Sequence, residues 1–389
     1  MFTSVASVGF HSNGMYAGPM EAVFPGVFGS CFSGDVLYRV SCVGDSITKC
    51  DRDLDSKTDG YPREGEGFFN RLPALLGPEY DVLDFGVNGA CALGIGHGTN
   101  PYEDEQEYQW AQQHRPHYVI IMLGTNDSNQ GNWANNSYFE SDLGEIITAF
   151  LNIVPQPPLT SPKVILCSPI PVLFPNVGIQ PDVVENEIIP RIHLLLQDYS
   201  TVVGLDCFTP FLDQNGVPQE AYYERPEDPD YPQGDGIHPN NAGDDLLSGL
   251  IRTAMFAPMD KTPPTTPPAP QATVLSPTSI RLTWNPSNGS PVGYHVLRDD
   301  MVVGIAKTEF FEDTDLPTKG SYRYRVRAFD GSMNLSGLSE ETLVNTNQLP
   351  VLSLIGNKTV RVGETIQFTV SASDPDSPES GLQYSAVSP

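Results

Sequence analysis

Five short apolar runs, interleaved with amphipathic segments, constrain the fold of this chain more than any other feature. They are LYRVSCV (37–43), YDVLDFG (80–86), HYVIIMLG (117–124), KVILCSP (163–169) and STVVGLDCF (200–208). Strands that are apolar on both sides need cover on both faces, as in a parallel sheet flanked by helices. The stretches GFFNRLPALLG, EDEQEYQWAQQH, SYFESDLGEIITAFLNIV, DVVENEIIPRIHLLLQDY and NNAGDDLLSGLIRTAMF repeat apolar residues at three- and four-residue spacing, the pattern of helices with one buried face. The alternation predicts an α/β domain over residues 36–257, built on a doubly wound, five-stranded parallel sheet. A ligand site belongs at the carboxyl ends of its strands.

With 389 residues the chain exceeds what one core usually serves, so further domains are expected. Residues 1–35 have no defined pattern. PMDKTPPTTPPAP (258–270) carries six prolines in thirteen residues, which favours an extended, semi-rigid spacer. Over 271–346, SIRLTWNPS, GYHVLRDD, MVVGIAKT and SYRYRVRAFD alternate apolar and polar residues between turn signals, as in an all-β sandwich. Residues 347–389 supply about two strands, too few to be stable alone, so a longer gene product is expected.

The formal charge of −27, from 48 acidic against 21 basic residues, argues against nucleic acid or an anionic membrane surface as the main partner. No apolar run approaches the roughly 20 residues of a membrane-spanning helix. The opening stretch MFTSVASVGFHSNGMYAGPM lacks the basic and unbroken apolar regions of an export signal. Cysteines 31, 42, 50, 91, 167 and 207 form neither a C-x-x-C pair nor a zinc-like spacing. Cys42, Cys167 and Cys207 read as buried thiols in apolar runs, whereas Cys50 and Cys91 could meet as a disulfide. DRDLDSKTDG (51–60) spaces carboxylates like a calcium loop, but Ser56 and Pro62 stand where glycine and glutamate are needed, so it reads as a solvated loop.

Small and polar residues gather after three strands and before the last helix: Gly44-Asp45-Ser46, Gly86-Val87-Asn88-Gly89, Gly124-Thr125-Asn126-Asp127 and Asp235-Gly236-Ile237-His238-Pro239. A serine hydroxyl is a weak nucleophile and needs a base, which His238 can supply, with Asp235 orienting the imidazole. The N–H groups of Ser46 and Gly89 and the Asn126 amide are suitable donors to an oxyanion. Each motif alone has a plain alternative: Ser46 as a helix N-cap, the glycines and Asp235-Gly236 as turn residues. Asp45 and Asp127 read as loop braces. Trp133 and Phe174 could line a cleft or simply pack, and His97, His114, His117 and His193 have no readable partner.

Together, GDSIT, FGVNGA, GTND and DGIHPN, in that order across residues 36–257, resemble the SGNH or GDSL-type hydrolases. The resemblance implies a flavodoxin-like sheet, Ser46, Asp235 and His238 as triad, Gly89 and Asn126 in the oxyanion hole, and no metal or organic cofactor. Asp84 stands where many relatives have asparagine. The wider pattern, GVNGACALG followed by VIIMLGTNDSNQGNW, looks most like the branch that includes sialate and other carbohydrate O-acetylesterases. Residues 271–346 resemble a fibronectin type III domain, with Trp284 in its core and Tyr322 as its tyrosine corner, and 347–389 resemble the start of a cadherin- or immunoglobulin-like repeat.

What this implies is an extracellular or cell-surface serine esterase that removes acetyl groups from carbohydrates, with polysaccharide contact through the β-modules. The alternatives are a general short-chain carboxylesterase, arylesterase or lysophospholipase, and a glycan-binding or adhesive protein on a hydrolase scaffold. The spacer reading further predicts that a chain ending near Ala257 keeps its activity on small esters.

Overall fold

The computed structural model describes residues 38–49, 67–223, 235–276, 278–314, 316, 320–346, 350–373 and 383–385. The five apolar runs become β1 (Tyr38–Gly44), β2 (Tyr80–Gly86), β3 (Tyr118–Met122), β4 (Lys163–Cys167) and β5 (Val203–Leu205). They form one sheet in the order β2-β1-β3-β4-β5, and every neighbouring pair is parallel. The order reverses between β1 and β3. Loops leaving these two strands therefore diverge and open a crevice at their carboxyl ends.

The longer helices are α1 (Phe68–Leu76), α2 (Gln106–Gln113), α3 (Phe139–Leu151), α4 (Ile189–Leu195) and α5 (Asn241–Phe256). Successive strand residues point to opposite faces: Ile120 and Met122 enter the core closed by α1 and α5, while Val119 and Ile121 enter the core closed by α3 and α4. Double cover is why the inner strands β3 and β4 are apolar after their first residue, whereas β2, at the edge of the sheet, is only part-buried from Tyr80 to Asp84 and carries Asp81 and Asp84. The stretch 182–199, which the periodicity predicts as one helix, is instead a turn at Pro181–Val183, a π-helical turn at Val184–Ile188, then α4 and a 3-10 turn at Leu196–Asp198. Pro190, in the first turn of α4, has no N–H to donate to the preceding turn, which weakens a continuous helix at this point and favours a new start there.

The described residues of 271–346 add β6 (Gln271–Ser276), β7 (Ser279–Thr283), β8 (Pro291–Arg298), β9 (Met301–Ala306), β10 (Phe310–Asp313), β11 (Ser321–Asp330) and β12 (Thr342–Asn345), which build two facing antiparallel sheets, β10-β7-β6 and β12-β11-β8-β9. In β11 (Ser321–Asp330) Tyr322, Tyr324, Val326 and Ala328 alternate inward to meet Ile280, Leu282 and Trp284. Among the described residues beyond 346, a ladder of two residues per strand, Val351–Leu352 with Ala372–Ser373, is the regular structure.

The sandwich is not held at arm's length. Ile305 in β9 (Met301–Ala306), Phe329 and Met333 are buried in the same apolar cluster as α3 and α4. Asp206 N–H donates to Gly331 O at 3.0 Å, and Lys307 Nζ to Thr209 O and Leu212 O at 3.0 and 2.6 Å. His193 of α4 stacks on His295 of β8 (Pro291–Arg298) with ring centres 5.1 Å apart, and Phe329 meets His193 edge-on. Burial pushes both imidazoles down, His193 to about 3, so the stacked rings are neutral at pH 7. The proline-rich stretch is tied as well: Lys261 Nζ donates to Tyr199 O and Val202 O, and Thr265 N–H to Asn288 O.

A chain ending at Ala257 would expose the surface that Ile305, Phe329 and Met333 cover. Each large apolar side chain uncovered costs about 1.5–3 kcal/mol, and each kcal/mol lowers the melting temperature of a unit this size by about 2–4 °C. The shortened chain is expected to melt several degrees below the full chain; equal melting temperatures would contradict a shared core.

Candidate active site

Ser46 lies in the turn that directly follows β1. Asp45 caps that turn, its Oδ1 accepting the Ile47 N–H at 2.9 Å while its carbonyl accepts from Thr48 and Lys49. The cap is thus Asp45, and the Ser46 hydroxyl is left for another partner. The end of β2 lies directly beneath. A Cβ on Gly86 would sit 2.4 Å from Lys49 N and 2.8 Å from Asp45 O, so only glycine permits this approach.

The partner is His238, 192 residues away, with Nε2 2.7 Å from Ser46 Oγ. Its other ring nitrogen, Nδ1, is hydrogen-bonded to Asp235 Oδ2. The second Asp235 oxygen accepts the N–H groups of Ile237 and His238 at 2.8 and 2.9 Å, which fixes the carboxylate relative to the ring it faces. Burial alone would raise the Asp235 carboxyl, but hydrogen bonds and charge from His238, helped by those two N–H groups, outweigh it and hold it at about 2. Asn176 Nδ2 adds a hydrogen bond to Asp235 O at 3.0 Å. Its sequence setting, FPNVG, gave no sign of this role.

Gly89 occupies the third position of a turn closed by Ala90 N–H to Val87 O, with φ of 76°, a conformation that favours glycine. Among the described residues no acceptor faces the N–H of Gly89 or of Ser46. Asn126 Nδ2 donates one hydrogen to Ala90 O at 3.0 Å, next to Gly89, and keeps its second hydrogen free of that bond. The loops are knit together. Val87 N–H donates to Gly44 O, Asp127 accepts from Ala92 and Leu93 N–H at 2.9 and 2.8 Å, and Asn132 Nδ2 holds Asn126 O at 2.8 Å. Asp84 Oδ1 accepts from Gly86 N–H at 2.7 Å, bracing the end of β2.

A second serine, histidine and aspartate meet near the opposite end of the sheet, where Ser41 Oγ lies 2.9 Å from His114 Nδ1 and His114 Nε2 lies 3.4 Å from Asp81 Oδ2. Ser41 is fully buried and no substrate can reach it, so this set serves packing. Of the two aromatic candidates, Trp133 is a packing residue: it is buried, donates Nε1–H to Glu187 at 2.8 Å and lies under Arg191. Phe174 is half-buried and lies against Gly236, where a Cβ would come within 2.8 Å of its ring, so it borders the histidine loop. His97 is bonded to Asp142 at 2.8 Å, and His117 Nδ1 accepts from Arg39 N–H. Cys42, Cys91, Cys167 and Cys207 are free and buried. Cys50 and the stretch 51–60 lie outside the described residues.

Residues 42–246 match the GDSL-like Lipase/Acylhydrolase family. The chain is 32% identical over 232 residues to an acetylxylan esterase of Xylanibacter ruminicola, a match that covers 56% of this chain and 43% of that protein. It is 39% identical over 93 residues, 23% of this chain, to exoglucanase B of Cellulomonas fimi, of which 8% is covered. The chain thus spans less than half the length of these relatives. Among solved structures, a carbohydrate acetylesterase family member from Sinorhizobium meliloti is similar with a TM-score of 0.40 and 15% identity, covering 57% of this chain and all of that one.

Burial raises the carboxyl of Asp45 to about 6 and that of Asp127 to about 7, the latter also through the Asp45 charge; the N–H bonds they accept pull the other way. From the ordinary value of 3.8 up to these values the folded chain holds protons that the unfolded chain has released. The contribution of this pair to stability therefore falls as pH rises through that window. Asp127→Asn cannot ionise and should flatten the fall. Melting temperature against pH for both proteins checks this, and parallel curves would contradict it.

Proposed function

Because the chain belongs to the GDSL-like lipase/acylhydrolase family, we propose that it is a carboxylic ester hydrolase that forms an acyl-enzyme on Ser46, and that its substrate is an acetylated carbohydrate outside the cell. The observation that carries the reading is the unbroken hydrogen-bonded line from Ser46 through His238 to an ionised Asp235, beside two N–H groups without acceptors.

In the first step His238 Nε2 takes the hydroxyl proton as Ser46 Oγ bonds to the ester carbonyl carbon, and Asp235 stabilises the imidazolium. The carbonyl oxygen becomes an oxyanion. Its donors are the N–H groups of Ser46 and Gly89 and the free hydrogen of Asn126 Nδ2. Collapse breaks the bond to the alcohol oxygen, which leaves with the proton from His238. Water then gives a proton to His238 and attacks the acyl carbon, releasing the acid and restoring Ser46.

The acetyl and carbohydrate parts of the proposal draw on the identity to the acetylxylan esterase, and the extracellular setting draws on the proline-rich stretch and the fibronectin-like sandwich that follow the α/β domain. In the same reading the sandwich contacts polysaccharide, and the exposed Phe310 with Arg281 over its ring are the groups on offer.

The test is acetate release from a panel of acetylated polysaccharides, run beside a p-nitrophenyl ester series of increasing acyl length. Release from one glycan, abolished in Ser46→Ala, is the expected result, with Asn126→Ala losing on the order of 10²–10³-fold in kcat. Hydrolysis of small esters that extends well past acetyl, with no glycan accepted, would instead identify a general esterase.

A further inference from the structure

The segment from Asn176 to Leu195 lies between the sandwich and the loop that carries Asn126. Towards the sandwich, Glu185 Oε1 accepts the backbone N–H of Ile305 at 3.2 Å, and β9 packs along the π-helical turn that holds Glu185. Towards the loop, Ile188 presses on Gly124, where a Cβ would lie 3.0 Å from its Cγ2. Glu187 Oε2 accepts the Trp133 indole N–H at 2.8 Å. Gln180 binds Ser128 twice, through its N–H at 3.0 Å and its Nε2 at 2.6 Å. Gly124, Ser128 and Trp133 bracket Asn126 on both sides in the chain.

Residues two apart on a helix point in nearly opposite directions. Glu185 and Glu187 therefore hold separate bodies, one the sandwich and the other the Asn126 loop. A π-helical turn inserts a residue into a helix and is often found at functional sites; here it adjoins both contacts. We propose that Glu185 is a positioning residue through which the β-sandwich holds the Asn126 loop in place for the reaction. The effect on rate rests on the esterase reading above, but the mechanical link does not. The link needs one accepting oxygen rather than a charge. Burial already pushes the Glu185 carboxyl up, with the Ile305 N–H opposing, and glutamine offers the same acceptor.

The experiment compares wild type, Glu185→Ala and Glu185→Gln in the full chain. Kinetics use an acetyl ester, and amide hydrogen exchange is followed over residues 124–133. In Glu185→Ala, kcat should fall on the order of tenfold or more, as expected when a reacting group is slightly misplaced, with KM within about twofold. Exchange over 124–133 should quicken. Glu185→Gln should restore both. Should the alanine variant fail to fold, Glu185→Thr, too short to reach Ile305, takes its place. Unchanged kcat with unchanged exchange would overturn the proposal, and so would a loss that glutamine fails to rescue. A wild type inactive on every acetyl ester would sink the esterase reading, and the exchange comparison would still decide whether Glu185 holds the loop.

Discussion

The hydrogen bond between Ser46 and His238 is the interaction on which the arrangement depends. It joins residues 192 positions apart at 2.7 Å. It can form only if the turn after β1 and the loop before α5 meet at one edge of the sheet, and the parallel topology with its reversal between β1 and β3 supplies that edge. Around this bond every loop has its own restraint. Asp45 caps the serine turn, Asp127 ties its loop to Ala92 and Leu93, and Asp235 is fixed by two backbone N–H groups. The reacting groups are held before a substrate arrives, which is how such a site lowers a barrier.

Much of this was legible in the sequence, and for physical reasons. A strand buried on both faces must be apolar along its length, so the inner strands β3 and β4 announced themselves as runs, and the edge strand β2 was still readable despite Asp81 and Asp84. The small and polar residues at their ends stood out against that background. The bracing roles of Asp45 and Asp127 followed from their place beside the reacting groups. Less legible was anything that depends on a partner distant in the chain. Trp133 reads equally as a cleft or a packing residue until Glu187 and Arg191 are seen covering it. The helix expected over 182–199 breaks at a π-helical turn whose side chains serve two neighbours, which no local periodicity encodes. Asn176 gave no sign in sequence of its bond to Asp235.

The relation between the two folded parts was the least legible. Proline-rich composition reads as a spacer, because proline stiffens the chain whether or not something packs beside it. Periodicity shows that α4 and β9 each have an apolar face, but not that Ile305, Phe329 and Met333 share a core with α3 and α4. The stacked, neutral His193 and His295 make the same point: His193, which has no readable partner in sequence, becomes part of a buried contact once both elements are in place. The sandwich is thus part of what shapes the α/β layer behind the Asn126 loop.

The account's central claim is that Ser46 is an activated nucleophile, and covalent labelling tests it most directly. The protein would be treated with a fluorophosphonate and the adduct located by peptide mass spectrometry. The account predicts a single adduct on Ser46, absent in Ser46→Ala and much slower to form in His238→Ala. An unlabelled protein, or an adduct on another residue, would contradict it.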